Sequence, residues 1–370
     1  MFYQQQPLTD QDIVRHLYDD FTFPEMNPSG EESLALSRDF GSVEAIQMMV
    51  QIHNLVEQSA KSEQPAIKFE TTIYGRRSLG YTLFGERLYQ ILRGPNTFCS
   101  LPKQQLSEAI KRWEEVVPQI LGQDARFYGD PVRRMNDQGV TEGELVNALG
   151  IRLAEGVRRK AHQLARDQRK KDAQRLCTAR TKLISQHLAR HSGVFGMRAE
   201  LMYQKDYAEK IREKDSAEHI QGLIEDLQDD PWFGQLIAYF WNRNFISEAG
   251  YRTTLFLLFD SNTTPIDKIN GTGVLQQWEE RTKGSGLGYI QPERICNVDE
   301  ILRYIECSKL AAQYLRLKPD TKFPPFGMSN LPGNKPLLTL EQTPGTNLRD
   351  HGGFGWSQTD LGAHLNNRFK

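Results

Sequence analysis

The pattern of apolar and polar positions divides the chain into a helical first half and a second half in which strands and helices alternate. In the first half, apolar side chains recur at helical spacing, which predicts helices over residues 10–18, 42–61 and 106–116. Prolines and a glycine among polar residues predict a loop after the first of these helices, up to residue 30. We therefore expect a mainly helical N-terminal region.

A helix start is predicted at Thr141, where a hydroxyl side chain precedes Glu142 and Glu144. Gly150 predicts a break, followed by a second, basic helix from Ile151 onward. Two helices joined by a short turn are typical of a helix-turn-helix that reads DNA, and equally typical of any helical hairpin. The pattern leaves both interpretations open.

From Gly193 onward the spacing predicts strand, helix, strand, strand, helix, strand and helix in that order. The segments are residues 193–204, 205–227, 236–245, 250–260, 274–281, 288–295 and 298–317. This order predicts an α/β fold of the α+β type, with one mixed or antiparallel sheet and helices packed on one face. From Asn330 onward, proline, glycine and polar residues predict an extended or mobile tail.

The length of 370 residues and the 38% hydrophobic content supply enough material for two cores. The predicted divisions are a helical domain over 1–150, a basic helical linker over 151–191, an α+β domain over 192–330 and a polar tail over 331–370. No apolar run reaches the roughly 18 residues of a membrane span, and residues 1–6 lack a basic flank followed by an apolar core. We therefore expect no membrane partner and a cytoplasmic location.

Cysteine and histidine spacing gives no sign of a metal or a cofactor. The four cysteines are scattered and match neither a zinc site nor a dense disulfide framework, which predicts free thiols in a reducing compartment. His187, His191 and His219 lack paired spacing, so we interpret them as satisfied or exposed side chains rather than metal ligands.

The formal net charge of -1 conceals an uneven distribution. Between Arg152 and Arg190 there are twelve lysines and arginines against three acids, a local excess of nine positive charges. Contact with nucleic-acid phosphates needs Lys and Arg but no particular sequence, so this segment predicts phosphate contact. A solvated helix face is the alternative interpretation.

Two segments of the second half resemble the inovirus-type replication initiator family, which includes prophage-encoded proteins. They are Leu236–Phe245 (LIAYFWNRNF) and Gly250–Asp260 (GYRTTLFLLFD). Gln313–Lys318 and the turn at residues 323–327 are similar to the C-terminal signature of that family. The resemblance covers roughly residues 185–330.

This family looks like a branch of the HUH endonucleases, so the resemblance implies an HUH-like sheet. In such enzymes a histidine pair on one strand and an acid on the preceding strand hold a divalent metal. The histidine positions are Arg252 and Thr254 in this chain, and the acid position is Asn244. Arginine has no lone pair for a cation, and threonine and asparagine are weak neutral ligands. The resemblance therefore implies an initiator fold that has lost metal-dependent nicking.

The family also uses a tyrosine on a later helix, which attacks the scissile phosphate and forms a phosphotyrosine ester. Tyr304 is the best candidate here, with Lys309 as its basic neighbour, although the spacing to Gln313 is about three residues longer than the pattern. Alternatively, Tyr304 packs on the helix face beside Ile301 and Ile305.

Three hypotheses follow from these observations. The first is a nucleic-acid-binding protein of initiator ancestry, of mobile-element or prophage origin, regulatory or defensive, which binds single-stranded or hairpin DNA in preference to duplex. The second is an active tyrosine nickase or strand transferase that uses Tyr304, and the third is a protein-interaction module on the same scaffold. The residues predicted to contact DNA are Arg158, Arg159, Lys160, Arg169, Lys170, Lys171, Arg243, Arg252, Lys309, Arg316 and Lys318.

Overall fold

A computed structural model describes eleven stretches of the chain. They are residues 7–26, 32–36, 42–62, 64–71, 77–94, 106–122, 127–229, 236–246, 250–263, 271–314 and 326–329. The predicted tail, Cys99, Arg316 and Lys318 lie outside the described residues.

The chain divides into two compact units. Unit 1 comprises residues 1–18, 39–173 and 310–316, and unit 2 comprises residues 19–38, 174–309 and 317–370. The segment predicted as a linker contributes residues 151–173 to unit 1 and 174–191 to unit 2.

Unit 1 consists mainly of helices and one hairpin, in agreement with the helical pattern of its sequence. Its elements are α1 (Asp10–Phe21), which ends in unit 2, α2 (Val43–Ser59), β3 (Ile67–Thr71), β4 (Arg77–Tyr81), α3 (Leu83–Arg93), α4 (Glu108–Leu121), α5 (Glu142–Arg158) and the first part of α6 (Lys160–Leu188). The helices predicted over 10–18, 42–61 and 106–116 are confirmed, with ends that differ by a few residues.

Four helices of unit 1, α2 to α5, begin where serine or threonine supplies an N-cap. Ser42, Thr82, Ser107 and Thr141 each accept a hydrogen bond from a backbone N–H three residues later. Such caps stabilise a helix by roughly 0.5–2 kcal/mol. At Thr141 the Glu144 side chain also accepts from the backbone of the cap residue, which completes a capping box and confirms the predicted helix start.

The predicted break at Gly150 is wrong, because α5 continues through this residue to Arg158. A Cβ atom at position 150 would lie 3.1 Å from the Phe84 ring, so glycine here allows close packing. One residue, Arg159, separates α5 from α6, with φ -63° and ψ 134°. This is shorter than the three- to four-residue turn of a helix-turn-helix, so that interpretation is also wrong.

Unit 2 is built on one five-stranded antiparallel sheet in the order β8-β5-β7-β6-β9. Along the chain, its elements are β5 (Val194–Tyr203), α7 (Lys205–Ala208), α8 (Glu213–Asp229), β6 (Leu236–Ile246), β7 (Gly250–Asp260), α9 (Gly271–Arg281), β8 (Gly286–Cys296), α10 (Val298–Ala311) and β9 (Phe326–Met328). The predicted order is confirmed for the strands β5 to β8 and the helices α9 and α10, but the single helix predicted over 205–227 is divided into α7 and α8, and the strand β9 was not predicted. The first four sheet strands have the connectivity of a split βαβ sheet, which is an α+β arrangement.

Helices cover both faces of this sheet, so the prediction of helices on one face is wrong. On the first face, the core contains Leu223 of α8 and Trp278 of α9. On the second face, Leu183 of α6 and Ile301 of α10 pack against Phe256 of β7. We call this second face the α6/α10 face. The C-terminal part of α6 contributes apolar residues to this core, although the helix as a whole is basic.

Unit 2 also contains a hairpin of β1 (Thr22–Met26) and β2 (Glu32–Leu36), where a loop was expected from the prolines.

No helix among the described stretches is long and apolar enough to cross a membrane. Cys177, Cys296 and Cys307 are buried, and none of the three forms a disulfide.

Candidate functional site

The three positions at which the resemblance places metal ligands lie together on the α6/α10 face. Asn244 of β6 is directly opposite Arg252 of β7, and Asn242 is opposite Thr254. Side chains two residues apart on a strand point to the same face. Because Phe256 and Phe240 belong to the α6/α10 core, these polar side chains lie on that face as well.

A carboxylate that the sequence interpretation missed organises this cluster. Glu200 of β5 is opposite Thr254 and buried. Its Oε2 accepts from Arg252 Nε at 3.0 Å and from Thr254 Oγ1 at 2.8 Å, and its Oε1 accepts from Arg198 Nε at 2.7 Å. Arg252 also donates to the backbone oxygen of Thr22. The carboxylate is therefore bound by two guanidiniums and a hydroxyl.

The donor set of this cluster does not fit a divalent cation. Burial would raise the pKa of Glu200, but Arg252 and Arg198 hold that pKa below its ordinary value. The Glu200 carboxylate is thus ionised and already neutralised by fixed positive charge. No group of three His, Cys, Asp or Glu suited to a metal occurs in the described part of the chain.

Tyr304 lies on the same α6/α10 face, within the core. Its ring centroid is 4.6 Å from that of Phe256, and Arg198 Cζ lies 5.0 Å from it. Asn242 Nδ2 donates to the Tyr304 hydroxyl at 3.2 Å. Burial raises the pKa of Tyr304 to about 12, and the side chain is 8% exposed. In this arrangement the phenol packs with Ile301 and Ile305 and is closed to a phosphodiester.

Arg180 of α6 adds a third guanidinium to this face, and this one is buried. Its Nη2 donates to Trp241 O at 3.1 Å and to Asn242 Oδ1 at 2.5 Å. Both acceptors are neutral, and burial lowers the pKa of Arg180 to about 10. Asn242 therefore joins Arg180 to Tyr304 in one hydrogen-bonded network.

Two predicted DNA contacts, Arg243 and Arg252, are buried on opposite faces of the sheet. Arg243 is opposite Thr253, so its side chain lies on the first face of the sheet, which α8 and α9 cover, and its Nη2 pairs there with Glu213 Oε1 at 3.1 Å. Lys309 of α10 pairs with Glu306. These three side chains do not share one exposed surface.

The remaining predicted contacts that the structure describes lie on α5, on α6 or at Arg159 between them, all within unit 1. Five of them are exposed: Arg158, Arg159, Lys160, Lys170 and Lys171. Arg158 donates to Ala60 O, and the half-buried Arg169 donates to Gln313 O at 2.6 Å and pairs with Glu108. Nine of the twelve basic residues between Arg152 and Arg190 are exposed.

Each of the three histidines considered as a metal ligand lies beside another polar or aromatic side chain. His191 Nδ1 lies 2.7 Å from Asp260 Oδ2, and His219 Nδ1 lies 3.0 Å from the Tyr203 hydroxyl. His187 stacks on His191 with ring centroids 5.9 Å apart, and burial lowers the pKa of His187 to about 4. His187 therefore stays neutral near neutral pH.

No protein-family model, curated protein or solved structure significantly matches the chain.

Proposed function

We propose that this protein binds DNA, preferring single strands or hairpins to duplex, and does not carry out metal-dependent nicking. On this proposal it descends from a rolling-circle replication initiator of a mobile element or prophage and acts in regulation or defence. The observation that carries the binding proposal is the exposure of nine positively charged side chains between Arg152 and Arg190. Contacts of this kind neutralise phosphates without reading bases.

The absence of nicking is supported by the polar cluster on the α6/α10 face. The positions that resemble metal ligands are Arg252, Thr254 and Asn244, and the nearby carboxylate of Glu200 is held by two arginines. Tyr304 is buried with a raised pKa, so it has neither access to a phosphate nor phenolate character at neutral pH.

Titration of labelled single-stranded, hairpin and duplex DNA at two salt concentrations tests the proposal. We expect salt-sensitive binding, with single strands or hairpins bound more tightly than duplex. The variant Lys160→Ala/Lys170→Ala/Lys171→Ala should bind more weakly. If each lysine neutralises one phosphate, the slope of log affinity against log salt should fall in magnitude by about 2, since single strands contribute about 0.7 per phosphate.

The matched control replaces three exposed lysines of unit 2 in Lys205→Ala/Lys210→Ala/Lys214→Ala, which changes the net charge equally. Equal weakening by both triple variants would reduce the effect to overall charge and refute the assignment to α6. Absence of binding by the wild-type protein at physiological salt would refute the proposed function and favour a protein partner.

A further inference from the structure

The loop that precedes α5 has a backbone fixed by hydrogen bonds. The buried carboxylate of Glu142 accepts from Tyr128 N at 3.0 Å and from Gly129 N at 2.8 Å. In return, Glu142 N donates to Arg133 O at 2.9 Å and Gly143 N donates to Pro131 O at 3.0 Å. The segment over residues 128–133 is therefore held in one conformation.

Despite this order, the loop keeps large side chains in solvent. Tyr128 is 53% exposed and Val132 is 47% exposed. The guanidinium of Arg133 lies over the Tyr128 ring, with Cζ 3.5 Å from the ring centroid. The tyrosine and the arginine above it form a flat, positively charged surface. Because the loop is already ordered, a ligand that binds this surface does not have to compensate for the conformational entropy of ordering it.

Other side chains near this loop extend the surface. Arg93 packs against Gly129, because a Cβ atom at position 129 would lie 3.1 Å from Arg93 Nη1. Arg93 is exposed, and Tyr81, which interacts electrostatically with Arg93, is 46% exposed. We define the aromatic patch as Tyr81, Arg93, Tyr128 and Arg133. It contains two arginines, and Asp130 beside it accepts a hydrogen bond from Val132 N.

We propose that the aromatic patch stacks the bases of single-stranded DNA. Every base has a π-face, so stacking on the face of Tyr128 opposite Arg133 does not depend on sequence, and the arginines complement the adjacent phosphates. Bases in a duplex are already stacked on one another, so this surface selects single strands. The proposal rests on the proposed function and adds to it a base-contacting site separate from the basic residues of α6.

The test compares a labelled single-stranded oligonucleotide with an abasic oligonucleotide of the same length, which keeps the phosphates but lacks the bases. Tyr128→Ala should weaken binding of the normal strand roughly 5- to 150-fold, as expected for the loss of one stacked base. Tyr128→Phe, which retains the ring, should bind nearly as well as wild type. The abasic strand should bind equally to wild type and Tyr128→Ala.

Tyr207→Ala is the matched control, because Tyr207 in unit 2 is also an exposed tyrosine, 44% accessible, with Lys210 Nζ 5.4 Å from its ring centroid. Tyr207→Ala should bind like wild type. Circular dichroism establishes that each variant is folded. Unchanged binding by Tyr128→Ala, with wild-type binding intact, would overturn the stacking proposal and leave the proposed function standing. Failure of wild type to bind either strand would overturn both, and loss of a protein complex in Tyr128→Ala would then identify the patch as a protein contact.

Discussion

Arg252 on β7 donates from Nε to Glu200 Oε2 on β5 at 3.0 Å, and both side chains are buried. The guanidiniums of Arg198 and Arg252 stabilise the Glu200 carboxylate in the core. In turn, the carboxylate offsets the cost of removing these two positive charges from water.

Replacing Glu200 with glutamine should destabilise unit 2. The change removes the charge of the carboxylate to which Arg198 and Arg252 both donate, and breaking a buried ion pair costs roughly 3–5 kcal/mol. Urea denaturation measures the free energy of unfolding. Glu218→Gln is the control, because Glu218 forms an exposed pair with Lys214 at 3.2 Å, and such a pair contributes roughly 0–1 kcal/mol. A similar small loss in both variants would contradict the assigned role of Glu200.

The wild-type protein should form no covalent adduct with DNA, with or without manganese. Tyr304 is buried and its pKa is raised to about 12, so attack on phosphorus is disfavoured by access and by protonation. A denaturing gel of protein incubated with labelled single-stranded and hairpin DNA measures adduct formation. An adduct that disappears in Tyr304→Phe would instead establish a tyrosine nickase.

Folding stability of unit 1 should fall as the pH drops below about 6.5. Burial lowers the pKa of His53 to about 3, so the unfolded chain takes up a proton below pH 6.5 while the folded protein does not. The stability is therefore complete above pH 6.5 and is lost progressively toward pH 3, by about 1.4 kcal/mol per pH unit.

The variant His53→Gln isolates this contribution, because glutamine can still form a hydrogen bond with Ser107, whose Oγ lies 2.9 Å from His53 Nδ1. Between pH 6.5 and pH 5, the free energy of unfolding should fall by about 2 kcal/mol less in this variant than in wild type. Equal pH dependence of the two proteins would show that His53 is not the titrating group.

Gly85 should not tolerate alanine. A Cβ atom at this position would lie 1.9 Å from Ala66 O, which itself accepts the Thr82 backbone N–H at 3.0 Å. Overpacking of this kind costs roughly 1–3 kcal/mol or more. Gly80→Ala provides the control, because its Cβ would make an ordinary 3.7 Å contact with Lys68 Cβ. In thermal unfolding, Gly85→Ala should melt at a lower temperature than wild type, whereas Gly80→Ala should melt close to wild type.

The order of elements in unit 2 was predictable because the paired strands β6 and β7 are long apolar runs separated by a short polar segment. Glu200 was not predicted as part of the site, since its partner Arg252 is 52 residues away along the chain. The spacing Arg198-x-Glu200, which puts both charges on one face of an otherwise apolar strand, was the available signal. The packing of α6 against the sheet was not predicted, because the sequence of this helix is dominated by Lys and Arg. A few apolar residues, such as Leu183, are enough to bury one part of its length.

The stacking surface was not predicted for a different reason. The exposure of Tyr128 depends on Glu142, whose carboxylate holds the loop backbone from 13 and 14 residues away. The sequence pattern identifies Glu142 only as an acidic residue in the first turn of a helix. Exposed and buried tyrosines have the same appearance in a sequence, and only the fold distinguishes Tyr128 from Tyr304.

The pairing of Arg252 with Glu200 restricts the order in which substitutions can accumulate on this face. A change of either residue alone leaves a buried charge with too few partners, at a cost of roughly 3–5 kcal/mol. That cost is a large share of the roughly 5–15 kcal/mol by which a typical domain is stable. A histidine at position 252 is therefore difficult to reach by single mutational steps, and the residue at position 200 decides which replacements a descendant of this protein can accept.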